Sequence, residues 1–127
     1  MRFLLLFGLL LALGCSDSRF APVSGTVTMD GKRLPNVVVM FQPIGGSGKP
    51  GPGSTGPTNE NGEYHLEAIG GVAHGAVVGW HQVQIHRVEG VKNPVPVEKL
   101  RRYMYTSELK YEVKPGNNTI NIELTSQ

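Results

Sequence analysis

The chain has 127 residues with 17 glycines, 9 prolines, 39% hydrophobic and 17% charged residues, and a single cysteine. Those figures exclude a disordered chain, a second sizeable domain and an internal disulfide, and leave room for one domain of roughly 100 residues behind a leader. The formal net charge of +2 is too weak a field to gather nucleic acid, so no nucleic-acid partner is expected.

The first element is the leader. Arg2 precedes an unbroken apolar run at residues 3–13 (FLLLFGLLLAL), followed by Gly14 and Cys15. The run is shorter than the roughly 20 apolar residues of a membrane span, and it fits the apolar core of a secretory signal peptide closed by a small residue. Ala12-Leu13-Gly14-Cys15 resembles a bacterial lipobox, although alanine stands three residues before the cysteine where that pattern prefers leucine. The resemblance implies cleavage between Gly14 and Cys15 and a thioether-linked diacylglycerol, with acyl chains such as palmitate, on Cys15. Only cysteine offers the thiolate that such a bond needs. A signal peptide cleaved without lipidation, and a leader retained as an anchor, are the plainer alternatives.

The expected organisation is a lipoprotein signal peptide at 1–14, a lipidated N terminus and tether at 15–21, and a domain at 22–127. The membrane is then a partner through the lipid. The expected localisation is export and anchoring to the cell membrane or outer membrane, with the domain facing the periplasm or the exterior. Asp17, two residues after the cysteine, biases retention at the inner membrane in some bacteria. Removing 1–14 also removes Arg2 and leaves the mature domain nearly neutral, with 11 basic residues against 10 acidic ones.

From Val23 onward strand signals recur, separated by turns, and no segment sustains a helical period. Val23, Gly25, Val27 and Met29 alternate with Ser24, Thr26 and Thr28, and Asp30-Gly31 is a strong hairpin signal. Val37 to Phe41 is apolar on both faces and reads as a central strand. Residues 45–58 (GGSGKPGPGSTGPT) read as loop, and 58–62 as a turn launching a strand with Tyr64, Leu66 and Ala68 on one face. Residues 70–79 read as a glycine-rich bend with a short strand. In 80–88, His81, Val83 and Ile85 share one face and Gln82, Gln84 and His86 the other. Trp80 reads as core or a strand-end plug. Residues 93–106, with two prolines, read as a long connection. Leu109, Tyr111 and Val113, a turn at 115–118, and Ile120, Ile122 and Leu124 read as a closing meander. Val27, Val39, Phe41, Leu66, Ile85, Val113 and Ile122 are expected to point into the core. The expected fold class is all-β: a single Greek-key β-sandwich of about seven strands.

Three stretches carry a family resemblance. Val23-Ser24-Gly25-Thr26-Val27 with Asp30-Gly31-Lys32 and Leu34-Pro35-Asn36-Val37 resembles "V-x-G-x-V … G-x-P-L-x-x-A-x-V", with Pro35 after Leu34 rather than before it. Thr58-Asn59-Glu60-Asn61-Gly62-Glu63-Tyr64 resembles "T-D-x-x-G-x-Y/F". The end, residues 111–119, resembles that of small bacterial lipoproteins carrying the same domain. Together they are similar to the carboxypeptidase regulatory-like domain, a transthyretin-like (prealbumin-type) sandwich, over most of 22–125. The resemblance implies an accessory, adhesive or structural module without catalysis.

Candidate chemistry is sparse. Asn59-x-Asn61-Gly62 is a fragment of a calcium loop without its leading aspartate or bidentate glutamate, so a plain turn is the expectation. His65, His74, His81 and His86 fit no zinc spacing, and His81 and His86 are an odd step apart, on opposite faces. No metal and no cofactor are expected. No serine lies in a G-x-S-x-G elbow, and no catalytic residues are assigned. Lys99, Arg101 and Arg102 with Tyr103 and Tyr105 are a candidate for phosphate or sugar contact, against a solvated loop. The expected function is a membrane-anchored envelope module that is structural or binds an envelope protein or polysaccharide. The alternative is a small-ligand or carbohydrate binder using loops 45–58 and 93–106. Trp80, Tyr103 and Tyr105 discriminate: burial favours the first and an exposed row the second.

Overall fold

The computed structural model describes residues 19–45 and 51–126. The leader 1–14, the Gly14–Cys15 junction and the lipidation at Cys15 lie outside the described residues. In chain order the strands are β1 (Phe20–Ala21), β2 (Val23–Met29), β3 (Lys32–Arg33), β4 (Val37–Pro43), β5 (Ser54–Pro57), β6 (Glu63–His65), β7 (Glu67–Ala68), β8 (Ala76–Val77) and β9 (Gly79–Arg87). A short helix α1 (Val97–Leu100) and a 3-10 turn (Arg101–Tyr103) precede β10 (Lys110–Val113), β11 (Asn118–Thr119) and β12 (Ile122–Leu124).

Asp30 and Gly31 both have positive φ, 51° and 81°, as a type I′ turn requires, and they fold β3 back on β2. β4 and β9 pair antiparallel from Val37 opposite Arg87 to Pro43 opposite His81, at the centre of a sheet ordered β10-β9-β4-β5-β7. A second sheet is built around β2. β6 and β3 line one edge antiparallel, and β11 and β12 line the other edge parallel. Glu63 to Ala68 changes sheets, as β6 pairs β2 and β7 pairs β5, with buried Leu66 at the corner. The two sheets pack as an all-β sandwich. Val27, Val39, Phe41, Leu66, Ile85, Val113 and Ile122 are all buried between them, as their alternation requires.

Four expectations are corrected. The second half of 45–58 is strand β5, with Ser54 and Gly56 buried. A Cβ on Gly56 would collide with the His65 carbonyl, so the inward positions must be small where the chain crosses there, and small residues hide the alternation. The connection 93–106 is not plain loop. Leu100 is buried from α1 and Tyr103 from the 3-10 turn that follows, and the two pieces together are too short to show a period.

The chain end is not a meander either, because β11 and β12 join β2 rather than β10. Asn118 pins the crossing. Its side chain accepts from the Lys114 amide (2.9 Å) and donates to the carbonyls of Lys114 (2.8 Å) and Pro22 (3.2 Å). Finally, Trp80 is 53% exposed. With Val83 and Ile85 inward, period two places His81 inside and Trp80 outside.

Candidate functional site

The stretch at 58–64 is occupied by structural bonds. The Thr58 hydroxyl accepts from the Val37 amide (3.1 Å), and Asn59 Oδ1 accepts from the amides of Asn61 (2.9 Å) and Glu63 (3.0 Å). Gly62 adopts φ +71°, where a Cβ would also press on the Val27 carbonyl oxygen. Tyr64 is buried and its hydroxyl donates to the Ile120 carbonyl at 2.7 Å, tying β6 to the link between β11 and β12 across β2. Burial pushes the Tyr64 phenol well above its ordinary value, which keeps it a donor. The oxygen a cation would need at Asn59 is already engaged with two amides.

The run at 99–105 does not form one surface. Tyr103 turns inward and donates to the Thr125 carbonyl (3.1 Å) while accepting from the Thr125 amide (2.9 Å). Arg102 lies over the Tyr103 ring, 5.9 Å from its centre, beside an open cleft of about 460 Å³ that Thr106, Glu108 and Leu109 share. Lys99 faces a different cleft of about 440 Å³, with Lys32, Arg33, Pro35, Pro94 and Pro96. Asp30 at its edge is engaged by Ser126, whose hydroxyl (2.6 Å) and amide (3.1 Å) donate to it and hold its carboxyl below the ordinary range. Tyr105 is 76% exposed and meets the edge of His86, with ring centres 5.2 Å apart.

The histidines stay separate. His74 Nδ1 lies 2.7 Å from Glu67, with His65 Nε2 at 3.9 Å on the same carboxylate, all at the surface. His86 Nε2 contacts Gln84 Oε1 at 2.9 Å. Among the described residues no three His, Cys, Asp or Glu side chains gather in metal-binding geometry. His81 is the unusual one, wholly buried against Phe41. Its Nε2 meets the Val77 carbonyl at 2.7 Å, and because a carbonyl only accepts, the ring proton sits there. Nδ1 is then an unprotonated acceptor with no partner. Burial pushes the imidazole below its ordinary value.

The end of the sandwich where the described chain begins brings together residues that the sequence scatters. β1 pairs β8, Phe20 opposite Val77, and the Val78 amide donates to the Arg19 carbonyl at 2.7 Å. Trp80 follows two residues later, at the start of β9. Register places the start of β5, the end of β7 and the turn 69–73 at this same end. That turn carries Ile69 (50% exposed) and Val72 (66% exposed) on either side of Gly70 and Gly71. No described helix is long and apolar enough to cross a membrane.

No known protein-family model matches the sequence, and no curated protein matches it either. Among solved structures the chain is similar to the crystal structure of a DUF3823 family protein from Parabacteroides merdae ATCC 43184, with a TM-score of 0.48 and 15% identity. The match covers 86% of this chain and 47% of the other, so this chain spans about half the length of that protein.

Proposed function

We propose that the protein is a cell-envelope lipoprotein, anchored through a lipid on Cys15, whose carboxypeptidase regulatory-like sandwich is a non-catalytic structural or protein-interaction module. One observation carries the reading: among the described residues, Arg19 and Phe20, within five positions of the candidate anchor, are already hydrogen-bonded into the fold. Five residue steps from Cys15 to Phe20 reach at most about 18 Å. A lipid on Cys15 therefore tethers a folded domain with almost no linker. The residues of the 58–64 motif support the same reading, since the Thr58 and Tyr64 hydroxyls and Asn59 Oδ1 are all bonded to the backbone.

Cys15→Ser tests the anchor. The variant is expected in soluble fractions or as unprocessed precursor, while intact mass of the wild type shows a diacylglyceryl adduct at a new N terminus. An unmodified mature chain beginning elsewhere sinks the anchor. A carbohydrate-binding reading is favoured by exposed Trp80 and Tyr105, but they stand at opposite ends of β9 and Tyr103 between them in sequence is buried. Retardation of the protein in gels cast with envelope polysaccharide would support that alternative.

A further inference from the structure

Of the large hydrophobic side chains exposed among the described residues, Ile69, Val72 and Trp80 all lie at the end where β1 emerges, and Tyr105 alone lies elsewhere. Ile69 is one register step from the β5–β7 pair, with its amide donating to the Gly53 carbonyl at 2.9 Å. Alternation puts Ala68 inside, and so Ile69 on the outer face that Trp80 shares. β7 and β9 are separated by β5 and β4, three strand spacings or about 14 Å. Glu112 pairs opposite Trp80 with Lys110 on the same side of β10, and Glu67 shares the outer face with Ile69, so the charges bordering this apolar margin are mixed in sign.

We propose that this end is a membrane-docking surface, with Ile69, Val72 and Trp80 seated in the headgroup region of the bilayer that holds the lipid anchor. The proposal rests on the lipidation of Cys15 proposed above, and the occupant follows from the chain's own connectivity. The lipidated residue precedes Phe20 by five steps, so the bilayer surface is within about 18 Å of β1 whatever the domain's orientation. A tether that short gives a weak apolar contact a high effective concentration, so three side chains suffice where a free domain would dissociate. Tryptophan is enriched at membrane–water interfaces, and Ile69 and Val72 add apolar area beside it. Docking there would hold the sandwich upright and turn its opposite end, with the Lys99 cleft, away from the membrane.

Trp80 is the chain's one tryptophan and so reports its own surroundings. The chain from Cys15 onward holds every described residue, and its single thiol can be coupled to a maleimide lipid in phosphatidylglycerol–phosphatidylethanolamine vesicles. On coupling, Trp80 emission should shift to the blue and be quenched by lipids brominated near the headgroup. Ile69→Ser/Val72→Ser, a surface change, should lose most of both effects while the circular dichroism spectrum stays the same. Emission unchanged on coupling overturns the docking, as does equal quenching in the double variant. So does a shift produced by soluble polysaccharide instead of vesicles, which would make Trp80 a sugar platform. Because the lipid is attached chemically, a failure of native lipidation is read separately, from the intact mass of the cellular protein.

Discussion

Along β4 and β9 seven consecutive residue pairs face each other, whereas around β2 no partner pairs with more than three. The first arrangement buries Val37, Val39 and Phe41 against Val83 and Ile85. The second is stitched by polar side chains reaching the main chain. Asn121 Oδ1 accepts from both the amide and the hydroxyl of Thr26, and Asn118 closes the turn onto Pro22. A Cβ on Gly25 would strike the Ile120 carbonyl, so the interruption between β11 and β12 is built around a glycine. Long paired strands draw stability from burial. A sheet assembled from short pieces depends on individual hydrogen bonds placed at each break.

The contrast can be broken most forcefully at Phe41, which is wholly buried in β4. Phe41→Ala should cost about 3–5 kcal/mol in urea melts. A loss below 1 kcal/mol would show that the β4/β9 sheet does not carry the core. Asn118→Ala removes bonds to Lys114 and Pro22 and should cost about 1–2 kcal/mol, with the damage confined to β11 and β12 in amide exchange. Global loosening with no local signature would erase the distinction between the two sheets.

His81 tests burial by titration. Its folded value lies below the ordinary 6.5, so the unfolded chain binds the proton more readily. Stability is complete above about pH 7 and falls as pH drops through 6.5 toward the folded value, by at most about 1.4 kcal/mol per pH unit. His81→Gln should flatten that part of the profile. An unchanged slope would place the titration on other groups. The smallest effect is expected at Thr26, half-buried beside Asn121, where Thr26→Ala should cost under about 1 kcal/mol because the backbone amide keeps its bond.

The candidate sites were less legible than the strands, for a related reason. Lys99, Arg101, Arg102, Tyr103 and Tyr105 are neighbours in sequence, yet α1 and the 3-10 turn send Leu100 and Tyr103 inward and divide the charges between clefts. Ile69, Val72, Trp80 and Phe20 are scattered in sequence and share one end of the sandwich only because strand register brings their elements there.

Alternation alone determined which way Val27, Val39, Phe41, Leu66, Ile85, Val113 and Ile122 face, and Asp30-Gly31 alone determined its hairpin. Both are local consequences of side-chain period and backbone sterics, readable wherever they occur. Tertiary structure decided the rest. It recruited Ser54–Pro57 as a strand between β4 and β7, because a tight crossing demands small residues there. It sent β11 and β12 to β2 rather than to β10, where their pairing and the Asn118 bond to Pro22 join residues almost a hundred positions apart. It also set Phe41 against the His81 ring and left His81 Nδ1 without a partner. Pairing partners and close approaches depend on residues far apart in the chain, and period reports only that a face is buried, not against what.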